Sequence, residues 1–229
     1  MAEHGVQTLY IQTSRYTRDE DVLDPPVLLG LINRAHAKGM KVVGWYLPTH
    51  QDLDKDLRRL AAAANLPVDA IGVDIESTAQ TDLAERNRQV VELSVHLRNN
   101  TTKPIAAIVI PPVVTDIINT KYWPGFPWKS IVDQYDVYLP MGYFTGRTKQ
   151  PEWRDAYTYT KKNIELVRRN TGKRVEVHAV GGIADETTTD DVAGLVRAVA
   201  DEGALGGSLY DYVTTVNPEL WTALQPLRR

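Results

Sequence analysis

The chain has no cysteine, which excludes disulfides, thiolate metal sites and thiol redox chemistry. It also has no basic excess: 26 Lys and Arg stand against 29 Asp and Glu. Without a surplus of positive charge to neutralise phosphates, neither nucleic acid nor an anionic membrane is expected as a partner. No run approaches the roughly 18 apolar residues of a membrane span. The opening residues, Met1-Ala-Glu-His-Gly5, lack a signal-peptide pattern. A cytoplasmic location is expected if Met1 is the true start, and secretion if an upstream signal segment is missing.

What is present suits one large core. A chain of 229 residues with 43% hydrophobic content fits a single domain spanning residues 1–229, the usual size of one α/β barrel. Short β-branched or aromatic runs alternate with helical apolar stripes. The runs at Leu9–Thr13, Lys41–Leu47, Ala70–Glu76, Ile105–Ile110, Asp136–Tyr143, Arg174–Val180 and Gly206–Tyr212 read as strands. Gly39 and Gly203 mark helix ends that lead into the next strand. Only the segment after Ile110 is irregular, with Pro111-Pro112 and the aromatic stretch Tyr122–Trp128 marking an elaborated loop.

Regular alternation of this kind specifies a parallel sheet covered by helices. Seven strands are one short of a closed barrel, and Met1–Gly5 reads as the last turn of a helix stopped by glycine. The expected fold class is therefore α/β, a (β/α)8 TIM barrel lacking its first strand and helix in this chain.

Chemistry in such barrels sits at the C-terminal ends of the strands. The segment Asp69-Ala-Ile-Gly-Val-Asp-Ile-Glu76 ends in two acids whose spacing places both on one face of a strand. Acids at the mouth of a buried strand are costly to hold unless something uses them. Gln12, Tyr46, Met141, Tyr143, Tyr210 and Asp211 fall at comparable strand ends, as do His178 and the loop residues Arg15, Tyr16 and His50. Aromatic faces beside carboxylates are what a sugar site requires, so Gln12, Tyr46, Met141, Trp123, Trp128, Tyr210 and Asp211 are candidate substrate-binding residues. The structural alternative for Asp74 and Glu76 is a salt bridge to Arg15 or Arg147. His178 reads as a core histidine, and His36 and His96 as solvated helix residues. No cluster has convincing metal-ligand spacing, and neither metal nor cofactor is expected.

The Asp69–Glu76 segment resembles the fourth-strand signature of family-eighteen, chitinase-like glycoside hydrolases, Asp-Gly-x-Asp-x-Asp-x-Glu. Leu139-Pro-Met-Gly-Tyr143 is similar to that family's sixth-strand Met-x-Tyr, in the matching order along the barrel. A looser similarity extends to lysozyme-like barrels with an Asp-x-Glu strand and to bacterial glycoside-hydrolase-like barrels. The resemblance implies an O-glycosidase acting on a polysaccharide or cell-wall glycan. In it Glu76 protonates the glycosidic oxygen, while Asp74 and Tyr143 orient a substrate acetamido group that attacks the anomeric carbon. Three positions depart from the pattern: Gly72 stands for its middle Asp, Phe144 for the Asp after the sixth-strand Tyr, and Tyr210-Asp211-Tyr212 where a platform tryptophan is expected.

Two other readings stay open. One is a carbohydrate-binding barrel whose acids contact sugar hydroxyls without cleaving. The other is a barrel enzyme that holds a phosphorylated substrate through backbone amides near Gly181-Gly182 and Gly206-Gly207.

Overall fold

The structure is a computed structural model that describes residues 1–228. Seven strands follow one another in space in the order of sequence, all parallel. They are β1 (Thr8–Gln12), β2 (Lys41–Tyr46), β3 (Ala70–Ile75), β4 (Ile105–Val109), β5 (Val137–Pro140), β6 (Glu176–Ile183) and β7 (Gly206–Tyr210). The helices between and after them are α1 (Pro25–Ala37), α2 (Leu53–Asn65), α3 (Leu83–Asn100), the short α4 (Trp128–Ile131), α5 (Ala156–Thr171), α6 (Thr189–Asp201) and α7 (Pro218–Ala223). The result is a curled, partial (β/α) barrel with β1 and β7 as the two edges of its sheet. No helix among the described residues is long and apolar enough to cross a membrane.

Local chemistry explains where the helices begin. Asp52, Asp82 and Asp155 each accept a hydrogen bond from a backbone N–H in the first turn of α2, α3 and α5. Thr188 and Asp191 form a reciprocal capping box on α6. Each cap satisfies amides that the helix leaves without partners, typically contributing about 1 kcal/mol. At the N-terminus, Ala2–His4 forms a single 3-10 turn closed by Gly5 at φ 77°, a left-handed stop that glycine takes without a Cβ clash.

The core has two shells, set by strand alternation. Ile71, Val73, Ala107, Val109, Tyr138, Val177 and Ala179 face the helices, where they pack on Ile32, Leu60, Leu93, Ile164 and Leu195. Ala106, Ile108, Leu139 and Met141 face the barrel interior with Tyr10, Trp45, Tyr143 and Val180. Both faces are apolar, as a sheet covered on both sides demands.

Gly72 belongs to the inner face, and the structure explains its small size. A Cβ there would lie 2.8 Å from Trp45 Cβ and 3.1 Å from Ile108 Cδ1. Trp45, its register partner on β2, takes the space that the family's middle Asp side chain would need.

Most strand ends fall within two residues of expectation, and two differ by three. β5 ends at Pro140, with Met141 joined to Val180 only by an isolated bridge. β6 continues three residues further, through Gly181-Gly182 to Ile183, with an irregular register after Val180.

Candidate active site

Asp74 occupies the inner face of β3, in register with Ile108 on β4. Glu76 is the first residue beyond the strand. Asp74 is 6% exposed, and its Oδ1 is shut off from solvent with no hydrogen-bond partner. Burial, reinforced by the negative charge of Glu76, raises its carboxyl well above the usual range. Half-buried Glu76 is also raised by burial.

No cation neutralises the pair. Among the described residues neither acid forms a salt bridge. Arg15 instead donates from Nε to Gln12 Oε1 at 3.2 Å, and Arg147 lies over the Tyr159 ring at 5.9 Å. The carboxyls therefore lower their energy by keeping a proton rather than by ion pairing. Both carboxyls hold their protons above the usual carboxylate range, Asp74 the more strongly because Glu76 adds its charge to the effect of burial.

Tyr143 gathers the rest of the constellation. It lies three residues beyond the end of β5, and its phenol is pushed up by burial and by the fields of Asp74, Tyr210, Glu76 and Asp211, in that order. Its ring lies 5.6 Å from that of Tyr210, tilted by 57°. Tyr210 closes β7 and is 46% exposed, which makes it the open aromatic surface of this group. The Tyr210–Asp211 peptide is cis. Asp211 Oδ1 accepts from Thr214 N at 3.0 Å, so this carboxylate shapes its own loop while its charge still reaches Tyr143. Met141 and Gln12 share the inner face, Met141 packed with Ile108 and Leu139 and Gln12 in register with Trp45.

Three expected sugar contacts are placed elsewhere. Tyr46 points to the helices, fully buried, and donates its hydroxyl to Asp56 Oδ1 at 2.6 Å. Trp123, 2% exposed, donates Nε1 to Asn87 Oδ1 at 2.8 Å. Trp128 is 8% exposed, with its ring 4.6 Å from Phe126 and 6.0 Å from Tyr138. All three belong to the packing between sheet and helices, on the opposite side of the sheet from Asp74. A cavity of about 530 Å³ opens beside Trp123 and Trp128, lined also by Asp116 and Asn170; neither acid borders it. Trp128→Phe should cost roughly 1–3 kcal/mol in thermal denaturation and leave glycan affinity unchanged. Weaker binding at unaltered stability would return Trp128 to the cleft.

Trp45 and Tyr10 are the inner-face aromatics that sequence reasoning missed. Lys41-Val-Val-Gly-Trp-Tyr46 is apolar on both faces, so alternation does not reveal which ring turns inward; only the register with Gly72 does. Burial pushes the Tyr10 phenol up to about 12, and its ring lies 5.5 Å from that of His178. His178 Nε2 pairs with Ser208 Oγ at 3.1 Å, and desolvation lowers its pKa to about 4. It is a neutral histidine of the barrel interior. His36 is not simply solvated: its Nε2 lies 2.8 Å from Asp69 Oδ2.

The glycines considered for phosphate sit within β6 and β7 rather than in loops. A Cβ on Gly182 would meet Phe144 and Thr145 at 2.6 and 2.7 Å, and one on Gly181 would meet Leu195 at 2.9 Å, whereas one on Gly206 would meet only His178, at 3.5 Å. The amide of Ile183 is already bonded to Thr145 Oγ1 at 3.1 Å.

No protein-family model and no curated protein sequence matches the chain. Solved structures do match its fold. The spore cortex-lytic enzyme SleL of Bacillus cereus aligns with a TM-score of 0.64 at 10% identity, over 98% of this chain and 74% of that one. An α-amylase from Lactobacillus plantarum aligns at 0.56 and 9% identity, over 99% and 73%. The GH113 β-mannanase AaManA from Alicyclobacillus acidocaldarius aligns at 0.52 and 12% identity, over 89% and 74%. Similarity at this level establishes the barrel, a scaffold that supports many chemistries.

Proposed function

We propose that the protein is a glycoside hydrolase acting on a polysaccharide or cell-wall glycan, with Glu76 as general acid and base and Asp74 as its partner. The observation that carries this reading is a buried carboxyl, Asp74, with an unpartnered oxygen beside a half-exposed Glu76 at the C-terminal end of a barrel strand. Perturbed acids of this kind concentrate where proton transfer is done.

Glu76, the more accessible of the two acids, delivers its proton to the glycosidic oxygen. Asp74 stays behind Glu76 and takes up the change in charge. Acids at positions i and i+2 lie on one side of the scissile bond, so the second does not attack from the opposite face as a separate enzymic nucleophile would. A substrate acetamido oxygen oriented by Asp74 and Tyr143 meets that need. Tyr210 offers its exposed face to the sugar, while Gln12, Met141 and Asp211 complete the inner rim. The fold neighbours support a glycan as substrate, since their names are those of a cortex-lytic enzyme, an amylase and a mannanase.

Incubation with peptidoglycan, chitin, mannan and α- and β-glucans tests the reading by release of reducing ends. At least one polymer should be cleaved. Binding to a glycan without release would make the protein a carbohydrate-binding barrel, with Glu76 as a contact residue.

A further inference from the structure

Outside the candidate active site, unsatisfied buried polar groups collect around Trp123. Arg86, in the first turns of α3, is 6% exposed and places its guanidinium carbon 4.3 Å from the Trp123 ring. Its Nε and Nη1 are closed to solvent and have no hydrogen-bond partner, and no carboxylate pairs with it among the described residues. His50, 1% exposed, presents its ring edge to the same tryptophan at 6.4 Å, with both ring nitrogens unpartnered. Thr49 Oγ1 and Gln89 Oε1 are buried and unpartnered as well.

The contrast with the other buried arginine is informative. Arg59 is fully buried and also leaves Nε and Nη1 unpartnered, but it donates to the carbonyl of Arg18 and has a carboxylate oxygen, from Asp21, at 4.0 Å. Arg86 has the Trp123 ring and the neighbouring Tyr122 phenol, and no carboxylate pairs with it among the described residues. A guanidinium withdrawn from water is costly unless an opposite charge accompanies it. Burial, with the field of Arg86 adding to it, lowers the His50 imidazole to about 4, so His50 is neutral and keeps one N–H to donate. Arg86 and His50 thus both keep unfilled donors, and the nearby Asp56 carboxylate accepts from the backbone N–H of His50 and the hydroxyl of Tyr46 rather than from Arg86. His50, Trp123 and Arg86 are between 1% and 6% exposed, and such enclosure favours a small ion over an organic anion.

We propose that Arg86, His50 and Trp123 form a binding site for a small monovalent anion of halide size, which seats the loop after β2 against α3. The anion completes the charge of Arg86 and accepts from its free N–H groups and from His50. That loop is already tied to Asp56 through the backbone N–H of His50 at 3.0 Å. The anion would add the missing tie to α3.

The test replaces gluconate by chloride at fixed ionic strength. The wild-type melting temperature should rise by about 4 °C between none and 200 mM chloride. Arg86→Met, which keeps an apolar stem on Trp123, should lose the chloride-specific part of that rise. Crystals soaked in bromide should show an anomalous peak within hydrogen-bond reach of Arg86 Nε. A flat wild-type response, a missing bromide peak, or a chloride-specific gain retained by Arg86→Met each overturns the proposal. Should Arg86→Met fail to fold, the two wild-type measurements decide it.

Discussion

Glu76→Gln should lower the turnover of any cleaved glycan by about 10²–10⁴-fold while the melting temperature stays within a degree or two of wild type. The magnitude is what a positioned general acid normally supplies. The stability expectation follows from the site: Glu76 holds no salt bridge and is half-buried at the end of β3, so an amide of the same shape breaks no structural contact. The loss should fall on kcat more than on KM, because the proton is needed only as the glycosidic bond breaks. Turnover within threefold of wild type would remove Glu76 from the mechanism.

Asp74→Asn should separate function from stability. The carboxyl of Asp74 is raised by burial and by Glu76, so the folded state binds its proton more tightly than the unfolded chain does. Stability is then fully present below the ordinary pKa of 3.8 and is lost as pH rises through the elevated folded value. Asparagine cannot ionise. The variant should therefore melt above wild type at pH 8, with the difference shrinking toward pH 4, while turnover falls by about 10²-fold or more. A variant that melts lower than wild type at pH 8 would mean that Asp74 is held by a structural partner.

The two predictions together distinguish a catalytic pair from a structural one. An acid kept for the fold destabilises it when removed. One kept for chemistry leaves stability unchanged or raised when it is removed.

Much of this arrangement was legible in the sequence because it follows from strand periodicity. All seven strands, the parallel order and the shared position of Asp74, Tyr143, Tyr210 and Asp211 come from alternation and from the rule that loops after strands gather at one end. Three features were not legible. Tyr46 and Trp45 are adjacent, and on a strand apolar on both faces nothing local tells which ring turns inward. Trp123 and Trp128 lie in an irregular, proline-rich segment with no period to show which way it packs; their burial comes from Asn87 and Tyr138 on other elements as well as from Phe126 between them. The glycines of β6 resembled a loop, yet their missing side chains leave room for Phe144 and Leu195.

One strand carries two opposite responses to acid. At its base Asp69 accepts from Val42 N, Lys41 and His36 at 2.8, 3.0 and 2.8 Å, and these bonds hold its carboxyl down at about 2 although partial burial opposes them. Strong acid would loosen that clasp, whereas rising pH charges Asp74 at the other end. Between the two lies an interval in which neither end opposes folding, and there the barrel's tolerance of heat should be broadest.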